Sequence, residues 1–178
     1  VDGSLTRFEV AGRTTQVLAK IDGQPGGASW NQDGVILLSS NGHGLRTIKA
    51  TGGDLTEVTT LDPKVADYHD APQFLPDGQR FLFLEWSESN PKARALFVGT
   101  LGKKEVTRLM DADSNAVYAN GRLFYQQGRT LMARPFDVNT LAGIRVERED
   151  VFDHVHRLVF DLVASGFVTG VRVDHIDG

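Results

Sequence analysis

A short apolar segment, an Asp-Gly or Asn-Gly pair and a second, strongly β-forming segment recur three times along the chain. The clearest copy is FLPDG (Phe74 to Gly78) followed by RFLFLEW. An earlier copy is SWNQDG followed by VILLSS, and a later, weaker one is VYANG followed by RLFYQQ. The turn glycines are Gly34, Gly78 and Gly121, so the spacings are 44 and 43 residues. Asp-Gly and Asn-Gly between apolar runs signal a hairpin, because both positions of a type I′ turn require the positive φ that these residues tolerate. A period of this size restricts the fold to stacked supersecondary units: a propeller, an array or a solenoid.

Placing strands around the three turns gives four per unit. The first unit has strands near 28–31, 35–39, 44–49 and 56–60. The second has strands near 72–75, 80–85, 95–100 and 105–109, and the third near 116–118, 122–126, 130–135 and 144–148. Ahead of them, SLTRFE (4–9) and TQVLA (15–19) read as the last two strands of a further unit. The expected fold is all-β, a partial ring of about 3.5 four-stranded units. Face-to-face packing between neighbouring sheets is expected to bury Trp30, Phe74, Phe81, Phe83, Phe97, Phe124 and Tyr125.

Composition excludes several classes of function. The hydrophobic fraction of 40% and charged fraction of 24% are those of an ordinary soluble protein. A net charge of −4 with both signs interspersed argues against non-specific nucleic-acid binding and against an anionic membrane surface. There are no cysteines, so disulfides, thiolate nucleophiles and Cys-based metal sites are excluded. No apolar run approaches the roughly 20 residues of a membrane span, and VDGSLTRFEV does not read as a signal peptide. The expectation is a soluble chain of unknown compartment.

The segments SWNQDGVILLSS, TGGDLTEVTTLD, DAPQFLPDGQRFLFLEW and LFVGTLGKKEVTRLMDADSNAVYANGRLFYQQGRTLMARPFD together resemble the WD40-like (TolB-type, PD40) β-propeller repeats. The resemblance covers roughly residues 3–148. It implies a propeller whose first strand in each unit lines a central channel, and a binding or sensing role. The likeness is greatest to propellers attached to bacterial membrane-anchored serine/threonine kinases, yet no GxGxxG, HRD or DFG kinase motif occurs here.

From about Asp150 the pattern changes. VFDHVHRLVFDLVASG places Val151, Phe152, Val155, Leu158, Val159, Leu162 and Val163 at helical spacing, with Gly166 as a stop. FVTGVRVDHIDG then reads as a strand. This tail resembles a piece of the glycoside hydrolase family 13 barrel, of the maltooligosyl trehalose synthase type, around its GxRxD motif. By that resemblance Asp174 matches the nucleophile and Arg172 the arginine that orients it, with His175 and Asp177 as further binding candidates. A retaining glycosidase needs a second carboxyl group about 5–5.5 Å away, and the family supplies it from a later barrel strand that this sequence does not contain. The expected organisation is therefore a chimera: a propeller part, 1–149, joined to a foreign barrel-like tail, 150–178. Gly166 lies 45 residues after Gly121, so the tail can also be threaded as a hairpin in the repeat register.

Closed propellers have typically 4–8 blades, and an open ring of three and a half leaves apolar sheet faces and strand edges exposed. A homodimer closing a ring of seven to eight blades is the expected partner state. Within such a channel, His69 and Asp70 of DYHDAP and His43 of NGHG are candidate ligands for a divalent metal such as zinc; Tyr68 and Asp67 are candidate binding residues. The alternative is a set of turn and capping residues on a solvated rim. His154 and His156 share one side of a strand but lie about 200° apart on a helix. The leading functional expectation is a non-catalytic, self-associating propeller scaffold or binding module. The alternative is a hydrolase, with metal-assisted ester or phosphoester hydrolysis in the channel or weak glycosidase chemistry from the tail.

Overall fold

The computed structural model describes residues 3–136 together with 157, 164 and 165. The chain divides into two compact units, Val1–Phe136 and Asp137–Gly178; the first is described here. It holds four antiparallel sheets in sequence order. The first pairs β1 (Ser4–Glu9) with β2 (Thr14–Lys20). The second contains β3 (Pro25–Trp30), β4 (Val35–Ser40), β5 (Arg46–Lys49) and β6 (Thr56–Glu57). The third contains β7 (Tyr68–Phe74), β8 (Arg80–Trp86), β9 (Ala95–Thr100) and β10 (Thr107–Asp111). The fourth contains β11 (Ala116–Ala119), β12 (Arg122–Gln127) and β13 (Thr130–Pro135). A single 3₁₀ turn, Pro91–Ala93, lies between β8 and β9.

The repeated turns form as their chemistry requires. Gly34, Gly78 and Gly121 have φ of 75°, 68° and 73°, the left-handed region where a Cβ is penalised. The side chain of Asn31 accepts from the backbone N–H of Asp33 (3.1 Å) and Val35 (2.8 Å). Asp77 does the same for Gln79 (3.0 Å) and Arg80 (2.9 Å). Such short side chains satisfy turn donors that have no ladder partner.

Sheets pack face to face, which explains why β4 and β8 read as near-continuous apolar runs. Successive side chains of a strand point to opposite faces. Ile36 and Leu38 pack with Leu18, Ile48 and Ala50 toward the first sheet. Leu37 packs with Leu45, Phe81 and Phe83 toward the third. On β8, Phe81 and Phe83 face the second sheet while Leu82 and Leu84, also buried, face the other way. Phe83 stacks on Phe97 with centroids 5.4 Å apart. Gly99 sits opposite Phe81, and a Cβ there would come within 2.5 Å of the ring.

Inner strands are tied to one another by a repeated side-chain bond. Ser29 and Gln73 each stand five residues before a turn glycine. Ser29 Oγ accepts from Phe74 N–H at 2.9 Å. Gln73 Oε1 accepts from Tyr118 N–H at 2.8 Å and its Nε2 donates to Tyr118 O at 3.2 Å.

Three expectations need correction or completion. Strands β3 and β7 begin at Pro25 and Tyr68 rather than near 28 and 72, because both carry register irregularities that absorb the Gly-Gly and Ala-Pro pairs. Trp30 is 55% exposed, not buried. The first sheet has two strands and packs on β4 and β5, which leaves Trp30 of β3 beside a groove rather than beneath a sheet. Phe74, Phe97, Phe124 and Tyr125 are half-buried. The strand expected at 144–148 and most of the tail lie outside the described residues; Arg157 and Ala164 are helical and Ser165 is in a turn. No helix among the described residues is long and apolar enough to cross a membrane.

Candidate functional site

The DYHDAP segment, singled out from sequence, opens the inner strand β7 and borders a cleft of about 440 Å³. Tyr68, Asp70 and Trp86 form one side; Asp113 and Asn115, from the β10–β11 loop, form another; Gly27 of β3 closes it. A bulge between Asp70 and Gln73 shapes this end of the strand. Ala71, inside the bulge, has φ 48°, a left-handed conformation that costs a non-glycine residue about 1–2 kcal/mol. Pro72 follows, without an N–H to lose from the ladder.

Several groups in and around the cleft have defined supports. Asp70 Oδ1 accepts from Ser39 Oγ at 2.8 Å and from Gly27 N–H at 3.4 Å, which fixes the carboxylate between two sheets. Burial raises the pKa of Tyr68, and the carboxylates of Asp70, Glu88 and Asp67 raise it further. Asp67 Oδ2 accepts from Glu88 N–H at 2.6 Å. Arg94 lies 3.6 Å from the centroid of the Trp86 ring and donates from Nε to Ser87 O at 2.7 Å. No basic side chain lines the cleft.

His69 is placed differently from expectation. It is 3% exposed and lies inside the protein, not on a rim. Its Nδ1 is 2.7 Å from Thr59 Oγ1, and its Nε2 is 3.4 Å from Glu85 Oε2. Thr59 Oγ1 already accepts from Leu45 N–H at 2.7 Å, so its hydroxyl proton is free to go to Nδ1, leaving the ring proton on Nε2 toward Glu85. Burial lowers the His69 pKa to about 4 and raises that of Glu85. The order hydroxyl, imidazole, carboxylate is that of a nucleophile–base–acid triad. Thr59, however, is 2% exposed, and none of the three residues lines the cleft. The chain of contacts joins the second sheet to the third; it offers no surface to a substrate.

His43 and His69 do meet, through backbone: His69 N–H donates to His43 O at 3.2 Å. Their side chains take separate partners. His43 Nε2 is 3.0 Å from Asp22 Oδ2, and Asp22 Oδ1 accepts from Arg46 at 2.5 Å. That bond from Arg46 holds the Asp22 carboxyl below the usual range. Within one chain, His43, His69 and Asp70 do not converge, and the described residues contain no group of three or more His, Asp or Glu arranged for a metal. Asp174, Arg172, His175 and Asp177, like His154 and His156, lie outside the described residues. Sequence reasoning missed Thr59, Glu85, Trp86 and Asp113 as neighbours of this segment. Trp86, at the end of the RFLFLEW strand, was the one with a legible signal.

No protein-family model matches the chain. A solved structure of regucalcin, a calcium-binding protein from Agrobacterium tumefaciens strain C58, is similar over 78% of this chain and 48% of its own, at 17% identity and a TM-score of 0.59. The chain folds as a β-propeller part-ring. Its four sheets are therefore blades, two of them four-stranded among the described residues. TolB from Acinetobacter baumannii gives 11% identity and a TM-score of 0.37 over 73% of this chain and 45% of that one. Over 45 residues the blade-bearing chain is 49% identical to proteins of two Mycobacterium tuberculosis strains (CDC 1551 / Oshkosh and ATCC 25618 / H37Rv). Both carry a provisional assignment as maltooligosyl trehalose synthase. That stretch is 25% of this chain and 6% of the curated relatives, so the chain spans a small part of their length.

Proposed function

We propose that the chain is a non-catalytic, self-associating β-propeller binding module, in which a second copy supplies the blades that complete the ring. One observation carries this reading. The first blade has two strands where its neighbour has four, and beside it lies a mainly apolar groove of about 190 Å³ lined by Leu5, Leu18, Ala28, Trp30 and Ile36, with Thr6, Arg7 and Ser29. Trp30 is exposed in that groove, whereas its repeat equivalent Phe74 packs against the Leu37–Phe81–Phe83 core. Two strands of a partner blade placed along β1 would cover Trp30 as the second blade covers Phe74. The outer faces at both ends agree with this. Phe8 and Val17, 58% and 62% exposed, stand on the first blade, and Leu131, 75% exposed, on the fourth. Faces of this kind mark association surfaces.

The tail resemblance, with the short 45-residue match to the synthase relatives beside it, motivates a second part of the proposal, that the chain joins a propeller piece to a barrel-derived piece. Hydrolase chemistry in the channel has no supporting geometry among the described residues.

Sedimentation velocity on the full 178-residue chain tests the reading. The expected result is a two-chain mass, with Trp30 fluorescence shifted to the blue relative to a dilute sample. Phe8→Glu combined with Trp30→Ser should return a folded monomer. A monomeric mass at every concentration, with Trp30 emission unchanged, overturns it.

A further inference from the structure

The geometry points to the Tyr68–Asp113 cleft as a binding site for an organic cation, a guanidinium or ammonium group carried on a short apolar body. Three independent features of the cleft agree on this chemistry. Its walls include two aromatic rings, Tyr68 and Trp86, beside the aliphatic Leu84. Aromatic faces attract a cation through the ring quadrupole, most strongly where water is displaced, and the protein already uses one face of Trp86 this way with Arg94.

The second feature is uncompensated charge. Asp70 and Asp113 both line the cleft. Asp70 is held by neutral donors, Ser39 and Gly27, and neither carboxylate has an ion-pair partner among the described residues. Asp67 and Glu88 stand near enough to act on Tyr68, against the single cation Arg94, which is stacked on Trp86. The third feature is size. A volume of about 440 Å³ suits a small molecule or one side chain and far exceeds a bare metal ion, for which the described residues provide no three-ligand group. Cationic donors for a phosphate or a carboxylate are wanting among the described residues: the lining donors, Tyr68, Ser114 and Asn115, are neutral.

Tyr68 and Asp70 share one face of β7 by strand alternation, and the bulge that follows them holds Ala71 in a conformation that alanine adopts only under strain. All lining residues belong to one chain, so the site is independent of ring closure, and the two proposals fail separately.

Titration with butylguanidinium tests the site. Trp86 fluorescence is read in a Trp30→Phe background, which leaves it the sole tryptophan of the two in the chain. Isothermal calorimetry on the unmodified chain runs in parallel. Saturable binding is expected for butylguanidinium and not for its neutral isostere butylurea or for butyrate. Asp113→Asn, on an exposed loop residue, should weaken binding at least about threefold with unchanged thermal melting, and Asp70→Asn, which keeps an acceptor for Ser39 and Gly27, about tenfold. Raising NaCl from about 50 to 500 mM should weaken it further. An acetyl-Gly-Arg-Gly-amide arm separates the sources: tighter binding than butylguanidinium identifies an arginine side chain of a partner, weaker binding a free small cation, and both sustain the cation class. Equal affinity for butylurea, indifference to both Asp→Asn changes, or no saturation up to about 50 mM overturns the proposal.

Discussion

His69 shows how strongly a residue's role depends on what surrounds it. A histidine in a polar DYHDAP segment has the composition of a rim ligand. In the fold it is enclosed by Thr59, Glu85 and the Phe83 ring, whose centroid is 4.8 Å away. Its pKa falls from 6.5 to about 4 because burial disfavours the imidazolium. In the window between those values the unfolded chain binds a proton that the folded chain refuses. Stability from this group is therefore full above about pH 6.5 and declines as pH falls toward 4, by up to about 3 kcal/mol. Glu85, with its pKa raised by burial, has the opposite sign, losing stability as pH rises past its usual range. Urea midpoints between pH 7 and 4 should fall in the parent chain and fall less in His69→Gln, which keeps hydrogen-bonding capacity but does not titrate. Parallel pH slopes for the two proteins would refute this account.

At the scale of the element, β7 departs from its repeat equivalents. In the second blade the corresponding irregularity in β3 is built from Gly26 and Gly27, neither at positive φ; a Cβ on Gly26 would come within 2.6 Å of Ser39 Oγ and Asp70 Oδ1. In β7 the equivalent of Gly27 is Ala71, at φ 48°. Ala71→Gly should stabilise the chain by roughly 0.5–1 kcal/mol, the relief of a left-handed alanine less the added chain entropy. Thermal or urea unfolding measures it, and a destabilised variant would mean that the methyl group packs usefully. The same bulge sets the limit of what the sequence made legible. Turn chemistry at Gly34, Gly78 and Gly121 located the hairpins β3–β4, β7–β8 and β11–β12, since the pair Asp-Gly or Asn-Gly acts locally. Extending the hairpin register from the Phe74–Phe81 pair would place Trp86 opposite His69. The bulge moves Glu85 there instead, and so the Thr59–His69–Glu85 contact was invisible. Trp30 was misjudged for a different reason: a large aromatic is buried only if another sheet is present to cover it, which no local pattern encodes.

For the whole molecule, the interior of the part-ring and its ends contrast sharply. Between the second and third blades, Leu37, Leu45, Phe81 and Phe83 are closed off from solvent. On the first and fourth blades, Phe8, Val17 and Leu131 are open to it. Burying an exposed Leu or Phe is worth about 1.5–3 kcal/mol, so covering these faces with a second copy works against the cost of association. Association that accompanies the folded state makes stability depend on concentration. Each tenfold rise in protein concentration adds about 1.4 kcal/mol per dimer, about 0.7 kcal/mol for each chain of 178 residues, which corresponds to roughly 1.5–3 °C in Tm. Calorimetric scans over a hundredfold range of concentration should show that rise. Leu131→Lys, on the outer face of β13, should lower Tm at high concentration while leaving the dilute value near that of the parent, because an exposed side chain contributes little to a lone chain. A Tm independent of concentration in the parent would leave the end faces without a partner and remove the reason for reading them as an interface.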